Sequence, residues 1–148
     1  MKIMQFRGAK LLAFGFLLLA SISWGQTGRW IEVGGNDQIT AYVDTKSIRR
    51  TGSKVKVWLK WINTKPADTD AVYPKKQYMS AKALSIYHCV ERTSVTIQVI
   101  RYAESDGGEV VETLNILEKP ENYAEVAPET IGESILNFTC KATAPSKK

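Results

Sequence analysis

Lys54-Val55-Lys56-Val57-Trp58-Leu59-Lys60-Trp61-Ile62 is the stretch that decides the fold of this chain. Val55, Val57, Leu59 and Trp61 take one set of alternating positions, and Lys54, Lys56, Trp58 and Lys60 take the other. Successive side chains of an extended strand point to opposite faces, so a strict period of two predicts a strand with one buried side. Hydrophobic-in, polar-out alternation is the pattern of an antiparallel sheet with one face on the core and one toward water.

The same period extends in both directions. Upstream, Gln38 to Val43 and the shorter Trp30 to Val33 are rich in β-branched and aromatic residues, with Gly34, Gly35, Asn36 and Asp37 as the turn between them. Thr51, Gly52 and Ser53 form the next turn. Downstream, Ala83 to Cys89 and Val95 to Tyr102 read as strands joined by a polar bend at Glu91 to Ser94, and Ser105, Asp106, Gly107 and Gly108 give a hairpin loop into Glu109 to Ile116.

Two segments depart from the alternation. Asn63 to Lys76 holds Pro66, Pro74, Asp68 and Asp70 with few apolar residues, which predicts a long exposed loop of the kind that often carries function. Pro128 to Lys141 has the features of a C-terminal helix: Pro128 for the first turn, Glu129 at the positive end of the dipole, and Ile131, Ile135, Leu136, Phe138 and Cys140 at helical spacing. As a helix it would bury Ile131 and Ile135 and bring Cys140 within reach of Cys89.

Cys89 and Cys140 are the only cysteines. In an oxidising compartment an even pair in a small domain is most simply a disulfide, here stapling helix to sheet. A catalytic or metal-bound thiolate is the rival reading; it lacks a Cys-x-x-Cys pair, and His88 is the single histidine, so no Cys/His zinc site or redox motif assembles. His88 itself reads as a strand residue rather than a general base. Asp68-Thr69-Asp70 lacks the turn glycine and terminal Glu of a calcium loop. Trp58, on the lysine side of its strand, is either an exposed aromatic anchor or packed under lysine stems or the helix, the second being favoured.

Residues 1–25 read as a signal peptide. Lys2, Arg7 and Lys10 form a positive start, Leu11 to Ala20 is an apolar run too short to span a membrane, and Ser23 and Gly25 are small residues ahead of Gln26. Cleavage there leaves 123 of the 148 residues and no stable membrane span. It also changes the charge: of 20 basic residues three lie in the leader, so 17 remain against 15 acidic ones. A balance of +2 gives little support for nucleic-acid binding, which uses a clustered basic face. Residues 26–141 are then one domain and 142–148 a disordered polar tail.

Taken together these pieces resemble the bacterial surface-adhesin protein E family. The resemblance is carried by Tyr42-Val43-Asp44-Thr45-Lys46-Ser47-Ile48 before the Lys-rich strand, and by Tyr73-Pro74-Lys75-Lys76 leading through Ser80 and Lys82 to Ile86 and Cys89. The Gly-containing hairpin follows, and Ala127-Pro128-Glu129-Thr130 opens the helix that ends at Cys140. It implies an α+β fold, an antiparallel sheet of about six strands packed on one C-terminal helix that the disulfide holds. It further implies adhesion to host matrix glycoproteins through the basic segment ahead of the strand cysteine, which here offers Lys75, Lys76 and Lys82 with Tyr73 and Tyr78 interleaved.

The chain departs from the lipid-anchored founding adhesin of that family, because no cysteine follows the signal; a periplasmic or secreted protein without a lipid anchor is expected. The expected function is therefore non-enzymatic binding of a protein or glycoprotein ligand, with no cofactor and no metal, and a homodimer is compatible with it. The alternative is a periplasmic envelope factor or enzyme inhibitor, for which Asn63 to Lys76 would be the inserting loop. A hydrolase would need convergent ionisable groups, and no triad or metal set is apparent.

Overall fold

The computed structural model describes residues 28–71 and 73–142. The signal peptide and all of the tail beyond Ala142 lie outside the described residues. Strands β1 (Trp30–Gly35), β2 (Ile39–Asp44), β4 (Lys54–Asp68), β5 (Gln77–His88), β6 (Thr93–Glu104) and β7 (Gly107–Asn115) form one antiparallel sheet in the order β1-β2-β4-β5-β6-β7. Two short strands join its margins, β3 (Arg49–Thr51) against β4 and β8 (Ala124–Glu125) against β6. One helix, α1 (Ile131–Lys141), packs on one face. An α+β sheet of about six main strands with a single C-terminal helix is therefore present as expected.

The alternation of β4 decides which face the helix covers. Val55 and Val57 are fully buried and Leu59 nearly so, and with Ala41, Val43, Ala83 and Tyr87 they meet Ile135 and Leu136 of α1. Trp61 and Ile131 pack at the edge of this core. Each fully buried Val, Leu or Ile side chain contributes about 1.5–3 kcal/mol relative to exposure. Cys89, at the end of β5, is bonded to Cys140 of α1 with Cα atoms 5.7 Å apart, inside the usual range for a disulfide. Arg50 covers the joint, its Nη2 donating to the Cys140 carbonyl at 2.7 Å, where a cation also suits the negative end of the helix.

Three expectations are corrected. Asn63 to Lys76 is not one long loop: β4 continues to Asp68, and the turn is confined to Thr69–Lys76. The extension is possible because Asn63 pairs with Ile39 and the Thr64 amide donates to Gln38 O at 2.9 Å, while Pro66 falls where the β4–β5 ladder is interrupted and no amide is needed. The helix starts at Ile131 rather than Pro128. Thr130 is its N-cap, with Oγ1 accepting from the Glu133 amide at 3.2 Å, and Glu129 stands outside at φ +59°, so Glu133 rather than Glu129 serves the dipole. Gly34 and Gly35 end β1 instead of forming the turn. Asn36 makes that turn through Oδ1, and a Cβ on Gly35 would come within 2.9 Å of the Ile39 carbonyl oxygen.

Candidate functional site

Turn Thr69–Lys76 is tied down from below. The Thr69 amide donates to Lys76 O at 2.8 Å and the Lys76 amide to Thr69 Oγ1 at 3.0 Å, with Thr69 fully buried. Arg101 of β6 reaches Asp70 at 2.9 Å, and its guanidinium carbon lies 4.7 Å from the Tyr78 ring centre. On this base Tyr73 is 95% exposed, and Lys75 and Lys76 are exposed beside it. Among the described residues neither lysine meets a carboxylate within ion-pair distance.

The remaining two candidate residues lie elsewhere. Lys82 and Trp58 are half-buried on the sheet face away from α1, so Trp58 does not pack beneath the helix. Both line a depression of about 250 Å³ with Arg29, Trp30, Asp44 and Ile100. Asp44 is buried and engaged, accepting from Arg29 Nε at 3.0 Å and Nη2 at 2.7 Å and from the Lys46 amide at 3.1 Å. That ion pair holds the Arg29 guanidinium more firmly protonated than usual, through its hydrogen bond to Asp44 first and the Asp44 charge second.

Paired strands align Tyr42, Lys60, Lys82 and Ile100 in one row across this face. Lys60 Nζ lies 4.7 Å from the Tyr42 ring centre and 5.3 Å from that of Trp30, and Lys82 Nζ lies 5.1 Å from that of Tyr102. Burial, and then the charge of Glu32, push the Tyr42 phenol above its ordinary value. Alternation places Trp58 and Lys60 together within β4, but Trp30, Tyr42 and Tyr102 come from three other strands and carry no joint mark in the sequence.

His88 has neighbours that sequence reasoning missed. Its Nδ1 accepts the Glu91 amide at 3.3 Å, which leaves the ring proton on Nε2, 3.1 Å from Ser53 Oγ. The contact between Nε2 and Ser53 Oγ braces the Thr51–Ser53 turn. Nearby, a depression of about 320 Å³ is lined in part by Lys54, Glu118 and Tyr123. Hydrogen bonds from the Tyr123 hydroxyl and from Lys54 hold the Glu118 carboxyl below the usual range. Among the described residues no group of three or more His, Cys, Asp or Glu side chains is arranged to hold a metal, and no helix is long and apolar enough to cross a membrane.

The family model described as surface-adhesin protein E matches residues 30–141. The structure of protein E from non-typeable Haemophilus influenzae is similar at 17% identity and a TM-score of 0.52, over 76% of this chain and 75% of that one. The selenomethionine form of Haemophilus influenzae protein E gives 16% and 0.56 over 79% and 89%, and its crystal form II gives 18% and 0.56 over 76% and 87%. At these identities the likeness shows the fold alone. Among curated proteins none matches the chain.

Proposed function

This chain belongs to the surface-adhesin protein E family, and on that premise we propose that it is an exported binding protein that engages a protein or glycoprotein of the host matrix through the β4–β5 turn. The observation that carries this reading is Tyr73, 95% exposed at a turn whose base is fixed by Thr69 and Arg101. An aromatic side chain held ready on an anchored turn loses little freedom on binding, and tyrosine is enriched among residues that dominate interfaces. Lys75 and Lys76 would steer an acidic partner toward it. Tyr78, half-buried under Arg101, supports the turn, while Lys82 and Trp58 offer a second contact surface on the open face of the sheet.

Export is part of this reading: the leader supports it, with the exported protein beginning near Gln26. The test is binding of the disulfide-bonded protein to immobilised matrix glycoproteins, with a Tyr73→Ala, Lys75→Glu, Lys76→Glu variant as control. Loss of binding with an unchanged circular dichroism spectrum supports the reading; unchanged binding to every glycoprotein that the parent protein holds overturns it. The same anchored turn suits a second reading, an envelope factor or inhibitor whose turn enters a partner's cleft. Protease shaving of intact cells separates the two, since an adhesin is cleaved and a periplasmic inhibitor is protected.

A further inference from the structure

Lys60 and Lys82 are direct cross-strand partners on β4 and β5, the two middle strands of the sheet. Like charges at directly opposed positions destabilise a sheet, because their Cβ atoms stand only about 4.5–5.5 Å apart. Natural sheets ordinarily relieve such a pair with a carboxylate. Among the described residues neither lysine has one within ion-pair distance, and the carboxylate of Asp44 is already taken by Arg29. The lysines rest against aromatic rings instead, Lys60 on Trp30 and Tyr42 and Lys82 on Tyr102. Rings hold a cation in place and leave its charge available to a further anion.

We infer that this helix-free face binds an acidic polysaccharide, with Lys60 and Lys82 holding its carboxylate or sulfate groups and the rings of Trp30, Tyr42, Trp58 and Tyr102 supporting its sugar rings. The depression beside Lys82 is about 250 Å³, below the ~300–1,000 Å³ typical of enclosed small-molecule sites. Its open shape suits one unit of a long chain better than a whole small ligand. The row through Lys60 and Lys82 crosses the sheet from Glu32 to Thr113, roughly 24 Å at ~4.8 Å per strand. That is a linear track on which the two lysines are flanked by Tyr42 and Ile100, with Glu32 at one end and Thr113 at the other.

The charge spacing favours a polysaccharide over a nucleic acid. A nucleic acid carries a phosphate at every nucleotide and is matched by a continuous basic stripe. Among the described residues Lys56, Lys60 and Lys82 of this face have no carboxylate within ion-pair distance, Arg49 stands opposite Lys56, and Arg29 is committed to Asp44. Four aromatic side chains interrupt these charges, which matches a polymer bearing an acidic group every one or two sugars rather than one at every unit. The inference goes beyond the reading of the β4–β5 turn, since it concerns a different surface and either can fail alone.

The test measures tryptophan emission of the disulfide-bonded protein titrated at low salt with four probes: a heparin oligosaccharide, a hyaluronan oligosaccharide, a dextran oligosaccharide and a thymidine oligonucleotide. Saturable binding of heparin or hyaluronan, with none of dextran, is expected; heparin alone would assign the site to sulfate and hyaluronan to carboxylate. Lys60→Gln with Lys82→Gln should weaken that binding about tenfold or more. Lys65→Gln with Lys141→Gln, which removes the same charge from exposed lysines away from this face, should leave it within about twofold. Lys60→Glu alone should abolish binding while pairing with Lys82, so its thermal stability should equal or exceed that of the parent. No saturable binding of either acidic polysaccharide, equal losses in the two double variants, or tighter binding of the oligonucleotide would each overturn the inference.

Discussion

Arg101 and Glu112 stand opposite each other on β6 and β7 and form an ion pair on the covered side of the sheet, with side chains only 12% and 2% exposed. The same guanidinium donates its other terminal nitrogen to Asp70 at the start of the β4–β5 turn. One side chain thus neutralises a buried carboxylate and fixes the turn that displays Tyr73. Arg101 couples the buried charge of the sheet to the geometry of the turn proposed to bind.

Removing Arg101 should strand the Glu112 charge. Arg101→Met is expected to cost about 3–5 kcal/mol in a urea titration, because an unpaired buried carboxylate remains. Arg101→Met with Glu112→Leu should recover most of that loss, since replacing both partners of a buried pair is often neutral. A double variant as unstable as the single one would show that the pair is not what Arg101 contributes.

The disulfide closes a separation of 51 residues, worth about 4 kcal/mol by loop-closure entropy. Cys89→Ser with Cys140→Ser should therefore lower unfolding stability by a few kcal/mol, and mass spectrometry of the parent protein should find no alkylatable thiol. The core residues Ile135 and Leu136 stay apolar in the variant, so the helix should remain docked in the absence of denaturant. Two free thiols in the parent protein would contradict the bond.

Binding at the turn should divide into two kinetic effects. Lys75→Glu with Lys76→Glu acts on exposed charges and should slow association by about tenfold at low salt, with the difference shrinking as salt is raised. Tyr73→Ala removes a contact surface and should speed dissociation with little dependence on salt. Surface plasmon resonance at two ionic strengths distinguishes them.

Burial pushes the Tyr87 phenol above its ordinary value, because its ionised form has no place in the core. The folded protein thus holds this proton more tightly than the unfolded chain. The associated stability is fully present below about pH 10, and is lost as pH rises from there toward the higher folded value. Tyr87→Phe should leave stability at pH 7 nearly unchanged and extend the folded range in an alkaline titration followed by circular dichroism. An identical alkaline midpoint in the variant would rule out Tyr87 as a cause of high-pH unfolding.

Much of the fold was legible because it rests on local repetition. The two-residue period of Lys54 to Ile62 marks a buried and an open face wherever the strand goes, and an even cysteine pair needs only the right compartment to be read as a bond. The boundaries were less legible. Asn63 to Asp68 looks like loop by composition and becomes strand only because Gln38 and Ile39 lie alongside to take its hydrogen bonds. Glu129 looks like a first-turn acid until its positive φ removes it from the helix.

Among the candidate residues, Tyr73, Lys75 and Lys76 were placed together by adjacency in the chain, and the structure keeps them together. Lys82 was grouped with them in sequence but faces Lys60 across the sheet, and Trp58 shares its depression with Trp30, 28 residues earlier. The sequence by itself determined the sheet's inner and outer faces and the helix's apolar side, since those follow from periods of two and 3.6 within single segments. Only the tertiary structure decided which residues oppose each other across strands. Register depends on hydrogen-bond pairing between distant segments and on bulges such as those after Ile62 and Leu84, and one residue of slip would turn every outward side chain inward.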